Sequence, residues 1–193
     1  MRAKGLLYRC FRTRRESLEE IARAPHGAAE VLTPGPLSAD EEARRLARGD
    51  AFAWRLSLAA AQKALGGFSH LTFLEQGAGP TGEKGLVSAR PETAGGVVLA
   101  RKDLGVSYHL AVVVDDADQE VSHVIRGADL FEAAHIQRLL QALLDLPTPV
   151  YRHHPLLLRP DGKRFAKRDT AETLADLRAR GDTPAALRAE LGF

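Results

Sequence analysis

From residue 97 onward the chain alternates apolar runs with polar turns. Residues 97–100 predict a short strand, and 121–125 another. The run at 108–114, Tyr-His-Leu-Ala-Val-Val-Val, is apolar and β-branched and ends in Asp115-Asp116, which predicts a buried strand. Leu130, Ala133, Ala134, Ile136, Leu139, Leu140 and Leu143 recur near helical spacing. They predict a helix from Ala128 or Asp129 to Leu144, broken by Pro147 and Pro149. A final strand is predicted at 150–153. Thr170 is expected to cap a helix over about 171–179, with Glu172 in its first turn and Gly181 ending it. Thr183-Pro184 opens a last short helix. Strand, helix, strand, helix is the order of a parallel α/β sheet.

The first half carries weaker signals. Leu18, Ile21 and Ala22 have helical spacing, with Thr13 and Glu16 placed as a capping pair. Pro25, Gly27, Pro34, Gly35 and Pro36 mark a loop, and Ser38 caps a short helix from Asp40 to Ala47 that Gly49 ends. Residues 51–65 are ambiguous, and propensity alone allows one helix there. Residues 70–75 predict a partner strand. Residues 76–95, rich in Gly and Pro, read as a long loop or linker.

Composition bounds the function. At 193 residues the chain suits one domain, or one domain with an insertion. Hydrophobic residues make up 45% and charged residues 27%, which argues against bulk disorder. A net charge of +2 is too small to argue for nucleic acid. Basic residues do cluster at Arg2, Lys4, Arg9, Arg12, Arg14 and Arg15, and again over 152–168, as two solvated surfaces or two RNA-backbone contacts. A single cysteine excludes an intrachain disulfide. No apolar run reaches transmembrane length, and Leu6-Leu7-Tyr8 is too short for a signal peptide, so a soluble cytoplasmic protein is expected.

Two segments carry candidate chemistry. Gly162-Lys163-Arg164-Phe165-Ala166-Lys167-Arg168-Asp169 places four cations in six residues directly after the turn Pro160-Asp161-Gly162. Converging cations of this kind either form a solvated loop or neutralise a polyphosphate during transfer of a phosphoryl or adenylyl group. Arg126 follows an apolar strand and precedes Gly127, so it stands at a strand end, where open α/β sheets bind ligands. It reads either as a ligand-gripping guanidinium or as a structural partner of Asp115 or Asp129. His153 and His154 are adjacent on a strand and point to opposite faces, so they do not chelate together. One is expected to pack and the other to line a nucleotide side.

Taken together, GLLYRCFRTRRE (5–16), FAWRL (52–56), VVLARKDLGVSYHLAVVVDDADQEVSHVIRGADL (97–130) and YRHHPLLLRPDGKRFAKRD (151–169) resemble the class I glutamyl-tRNA synthetase family. The likeness is greatest to its short subfamily, the glutamyl-Q tRNA(Asp) synthetases. It implies an α/β fold: the C-terminal half of a class I synthetase Rossmann-like catalytic domain with its connective insertion. Residues 1–96 would form the connective region and 97–193 the second half of the catalytic domain. It also implies a strand at 52–58, followed by an Ala-rich helical turn, in place of one helix over 51–65.

The resemblance implies a function as well. The family activates glutamate with ATP, and the subfamily transfers it to queuosine in the anticodon of tRNA(Asp). RFAKR (164–168) occupies the place of the family's KMSKS signature, so Lys167 and Arg164 would be catalytic, with Lys167 on the ATP phosphates. Tyr108 and Arg126 match the family's glutamate contacts. Cys10 matches one ligand of a family zinc site whose next position is Arg12 here, so zinc is expected to be lost. The implied partners are glutamate, ATP and tRNA(Asp). The family's strand–HIGH–helix opening has no match in this sequence. An N-terminally truncated chain, inactive alone, is therefore expected, with an exposed apolar sheet edge at 108–114, low stability, or a dimer across that edge. A fragment of a glutamyl-tRNA synthetase and a non-catalytic remnant binding RNA or a partner are the alternatives.

Overall fold

The computed structural model describes residues 1–12, 35–94, 96–101, 105–158 and 173–191. The chain divides into two compact units, residues 1–155 and residues 156–193. The first contains two four-stranded sheets.

One sheet is antiparallel and runs in the order β1 (Leu7–Cys10), β2 (Ala53–Leu56), β5 (Val98–Arg101), β6 (Gly105–Val106). It joins residues from both sides of position 96. The ambiguous 51–65 segment is strand, then helix: β2 gives way to α2 (Leu58–Leu65) at Ser57. The Ser57 hydroxyl accepts the Ala60 N–H at 3.2 Å, and Gly66 ends the helix in a left-handed turn. Ahead of them, α1 (Ala39–Ala47) is capped by Ser38 as expected. Arg9 on β1 pairs with Glu42 of α1 and lies over the rings of Phe52 and Trp54, at 5.3 and 4.9 Å from their centroids.

The second sheet holds the expected parallel strands. Its order is β4 (Gly85–Ser88), β3 (Thr72–Glu75), β8 (Val150–His154), β7 (His123–Gly127). β3, β8 and β7 are parallel, and β4 adds antiparallel to β3. Residues 76–95 are therefore not one long loop. Glycines hid a hairpin: Gly82 donates to the Gly79 carbonyl in a tight turn, and Leu86 then pairs with Leu74.

The largest correction concerns 108–114. It is not a strand but the first part of α3 (Tyr108–Asp118). The Ser107 hydroxyl accepts the Leu110 N–H and starts the helix. Helical phase then buries Val113 and packs Leu110 on the core. A few tenths of a kcal/mol lost per β-branched residue is outweighed by roughly 1.5–3 kcal/mol for each large apolar side chain buried. The apolar sheet edge expected at 108–114 is therefore not formed. The exposed apolar side chains of the parallel sheet are Leu74, Leu86 and Ile125, on its outer face.

The inner face packs on α4 (Phe131–Leu144), whose Phe131, Ala134, Ile136, Leu139, Leu140 and Leu143 are buried. Phe73 of β3 meets Phe131 and Tyr151 edge-to-face at 5.9 and 5.4 Å. Arg138 Nε donates to the Thr72 carbonyl at 2.8 Å and pins α4 to β3. No helix among the described residues is long and apolar enough to cross a membrane.

The second unit contains α5 (Leu174–Arg180) and α6 (Pro184–Leu191). The first of these begins at Leu174, later than expected, and its cap is Thr173. A Thr173–Asp176 capping box, with bonds of 2.8 and 3.2 Å, sets that start. Thr170 and Glu172 lie outside the described residues, as do Thr13, Glu16 and the helix expected around them. Gly181 ends α5, and the Thr183 hydroxyl caps α6 through the Ala186 N–H, both as expected.

Candidate functional site

Three side chains converge at the C-terminal ends of the three parallel strands. Glu75 is the last residue of β3, His153 the penultimate residue of β8, and Arg126 the penultimate residue of β7. The register sets Arg126 directly opposite His153. Side chains opposite one another in adjacent strands share a face, so both point into the inner layer. His153 and Glu75 are each 1% exposed and Arg126 is 9% exposed.

The three form one hydrogen-bonded line. Arg126 Nε donates to His153 Nε2 at 3.0 Å. His153 Nδ1 lies 2.6 Å from Glu75 Oε2. Glu75 Oε1 accepts the backbone N–H groups of His153, at 2.9 Å, and Gly77, at 2.8 Å. The Arg126 guanidinium lies over the Tyr151 ring, 5.2 Å from its centroid, and Tyr151 stacks beside His153. Gln141 Nε2 donates to the Tyr151 hydroxyl at 3.1 Å. Burial raises the Tyr151 phenol above its ordinary range, so it is a neutral wall beside the guanidinium. Arg126 Nη2 is buried without a hydrogen-bond partner among the described residues.

Helix α3 supplies the other side. His109 and Asp116 are seven residues apart and therefore share one helical face. Both feel the charge of Arg126. Burial, then Arg126, push the His109 imidazole below its ordinary range, and its Nδ1 is buried without a partner among the described residues. Burial pushes the Asp116 carboxyl up, against the pull of Arg126. The site thus sets a held guanidinium, with a buried terminal nitrogen that has no partner among the described residues, within electrostatic reach of an imidazole held low and a carboxyl held high. Such a set is suited to a ligand that carries a carboxylate and additional polar groups.

Arg126 stands at a strand end, where it was expected, but its partner is His153 and not Asp115 or Asp129 at hydrogen-bond distance. Asp129 makes other interactions. Tyr108 begins a helix, not a strand, and is 52% exposed, with its ring against His109 at 5.7 Å. His153 and His154 do point to opposite faces, one buried and one exposed. His153, however, is a member of a polar line and not mere packing. Cys10 is buried and unpaired in β1. Arg164 and Lys167 lie outside the described residues. Glu75, His109, Asp116 and Tyr151 were not singled out from sequence. For Glu75 the signal was present: an acidic residue ending an apolar strand that is buried on its inner face.

Comparison with known proteins shows the family and the fold. Residues 83–192 match the family described as tRNA synthetases class I (E and Q), catalytic domain. The chain is 44% identical, over 98% of its length, to a glutamyl-Q tRNA(Asp) synthetase of Rhodobacter capsulatus, of which it covers 68%. It is 37% identical over its whole length to that of Symbiobacterium thermophilum, of which it covers 57%. A glutamate–tRNA ligase of Synechococcus is 48% identical over 80 residues, 42% of this chain. Among solved structures, the fold is similar to a glutamate tRNA ligase of Elizabethkingia meningosepticum, with a TM-score of 0.61 at 22% identity. That match covers 85% of this chain and 32% of the ligase.

Proposed function

The chain belongs to the class I tRNA synthetase (E and Q) family, in its glutamyl-Q tRNA(Asp) synthetase branch, and from that membership we propose that it serves ATP-dependent glutamylation of the queuosine base of tRNA(Asp). The α-carboxylate of glutamate attacks the α-phosphorus of ATP, and pyrophosphate leaves. The resulting glutamyl-adenylate then donates its glutamyl group to the base, and AMP leaves. The chain spans 57% to 68% of the length of the Symbiobacterium thermophilum and Rhodobacter capsulatus relatives, so this activity is proposed for the enzyme type to which it belongs.

The observation that carries the reading is Arg126. Its guanidinium is held at the C-terminal edge of a parallel sheet, the usual ligand edge of such folds, and its Nη2 is unpartnered within the described residues. A guanidinium edge of this kind binds a side-chain carboxylate through two parallel hydrogen bonds. Tyr108 is assigned to the same ligand. Lys167 and Arg164 are assigned to the ATP phosphates, where cations stabilise the charge that develops as pyrophosphate departs. Structural zinc is assigned no part: Cys10 is buried in β1 and is the chain's one cysteine.

Charging of tRNA with labelled glutamate by the full gene product tests the proposal. Glutamate should enter queuosine-containing tRNA(Asp) and not tRNA(Asp) with guanosine at that position. The match to a glutamate–tRNA ligase supports a second reading, transfer to tRNA(Glu). Charging of tRNA(Glu) in place of tRNA(Asp) would overturn the first reading in favour of the second.

A further inference from the structure

We propose that Glu75 and His153 are positioning residues that fix the Arg126 guanidinium end-on to its ligand. The inference rests on Arg126 being the carboxylate-binding residue. It begins with the direction of the hydrogen bonds. Arg126 Nε carries a hydrogen and no acceptor lone pair, so the 3.0 Å contact requires His153 Nε2 to accept. A neutral imidazole that accepts at Nε2 carries its hydrogen on Nδ1. Nδ1 therefore donates to Glu75 Oε2 at 2.6 Å, and Glu75 acts as an acceptor only. Its other oxygen is held by two backbone N–H groups, those of His153 and Gly77. The carboxylate cannot turn without breaking both. One buried carboxylate thus sets the tautomer of the histidine, and the histidine sets the roll of the guanidinium.

This arrangement selects how a ligand approaches. A guanidinium offers two bidentate edges, one through Nε with the nearer Nη, the other through the two terminal Nη atoms. His153 occupies Nε and blocks the first edge. Tyr151 covers one face of the plane at 5.2 Å. The terminal edge, whose Nη2 is buried and has no hydrogen-bond partner among the described residues, is the one left to a carboxylate. Preorganisation of this kind lowers the entropy lost on binding and fixes where the ligand's other end must lie.

The test uses the full chain with L-glutamate in titration calorimetry, beside nitrogen NMR of the His153 ring. In the wild type Nδ1 should carry the proton and Nε2 should show the shift of an unprotonated ring nitrogen. A protonated Nε2 overturns the proposal whatever the binding data show. Arg126→Ala should abolish binding. Glu75→Gln presents an amide N–H₂ to Nδ1, inverts the tautomer and sets a donor against Arg126 Nε, so affinity should fall at least about tenfold. His153→Leu should do the same. His153→Gln, whose amide oxygen can take the place of Nε2, should restore affinity to within about threefold of wild type; a merely space-filling role would not separate Gln from Leu. If Arg126→Ala abolishes binding while Glu75→Gln and His153→Leu leave it unchanged, the positioning role is wrong and the Arg126 assignment stands. If Arg126→Ala leaves binding unchanged, or the wild type binds no glutamate, the assignment beneath it has failed, and the proposal with it. Thermal melts confirm that each variant is folded.

Discussion

Gly77 lies so close to the backbone of His153 that a Cβ at position 77 would sit 1.9 Å from the His153 carbonyl oxygen. The contact is built by the chain leaving β3. Gln76 donates to the Tyr151 carbonyl at 2.8 Å, and Ala78 to that of His153 at 3.2 Å, so the segment runs on beside β8. The Gly77 N–H meanwhile holds Glu75.

Gly77→Ala should therefore act on both fold and site. The methyl group meets backbone atoms on all its near contacts, and these cannot rotate away. The expected loss is about 1–3 kcal/mol, the usual range for forcing extra carbon into a packed interior. Urea denaturation measures it. Because the strain displaces His153, glutamate affinity should fall as well. A variant with wild-type stability would mean that β8 gives way more easily than its parallel pairing suggests.

Glycine also explains part of what the sequence concealed. In 76–95, Gly and Pro were read as loop signals, yet the same glycines make the β3–β4 turn and the close approach at His153. Local composition cannot tell a flexible glycine from one required by a neighbouring strand. The Val112-Val113-Val114 run misled for a related reason. Its propensity is extended, and only burial against α4 and β5, together with the Ser107 cap, makes it helical. By contrast, Ser38 and Thr183 were local signals with local consequences, and the elements they begin are found where capping chemistry puts them.

The site was legible in the same uneven way. Arg126 could be placed at a strand end because a strand precedes it in sequence. Its partners could not, since Glu75 and His153 are 78 residues apart and meet only through strand order. Nothing near Glu75 in sequence announces a histidine.

Acidification should weaken the fold before the arginine-paired surface carboxylates titrate. His135 is fully buried, between the rings of Phe73 and Phe131, and its Nδ1 accepts the Arg90 N–H at 3.1 Å. Burial pushes its imidazole below the ordinary value of 6.5, and burial also lowers His109. In both cases the unfolded chain binds a proton more readily than the folded one. Their contribution to stability is therefore fully present above pH 6.5 and declines as pH falls from there toward the folded values. Exposed carboxylates such as Glu41 and Asp50 are held low by arginines and act only below about pH 4. The melting temperature should fall as pH drops below 6.5, and His135→Phe should flatten that slope. An unchanged slope would assign the acid sensitivity elsewhere.

The helix α4 should dominate the stability of the first unit. Leu139 and Phe73 are 0% and 1% exposed, and they belong to one core with Ile136, Leu140 and Tyr151. Leu139→Ala should lose about 2–5 kcal/mol through lost transfer energy and the cavity left behind. Phe73→Ala removes three edge-to-face ring contacts as well, to Phe131, His135 and Tyr151. About 3–5 kcal/mol is expected there. Equilibrium unfolding by two probes checks both figures. A loss under about 1 kcal/mol at Leu139 would place the structural centre outside this helix.

Arg126→Lys separates charge from geometry at the proposed glutamate contact. Lysine keeps a cation at the end of β7 but has one nitrogen, so it cannot donate to His153 and also grip a carboxylate with two parallel bonds. Seated by the histidine, the ammonium is withheld from the ligand; seated on the ligand, it leaves His153 Nε2 buried without a donor. Either way at least one charge-assisted hydrogen bond is lost, each worth roughly 1.5–3 kcal/mol. Affinity for glutamate should drop at least about tenfold. Discrimination should move too. Glutamine presents an amide in place of one carboxylate oxygen, and a bidentate fork rejects it because one donor then faces a second donor. A single ammonium discriminates less, so the preference for glutamate over glutamine should narrow in Arg126→Lys. Competition titrations with the two amino acids measure this directly. If the lysine variant keeps both affinity and preference, recognition depends on net charge alone, and the fork held by His153 and Glu75 has no part in choosing the ligand.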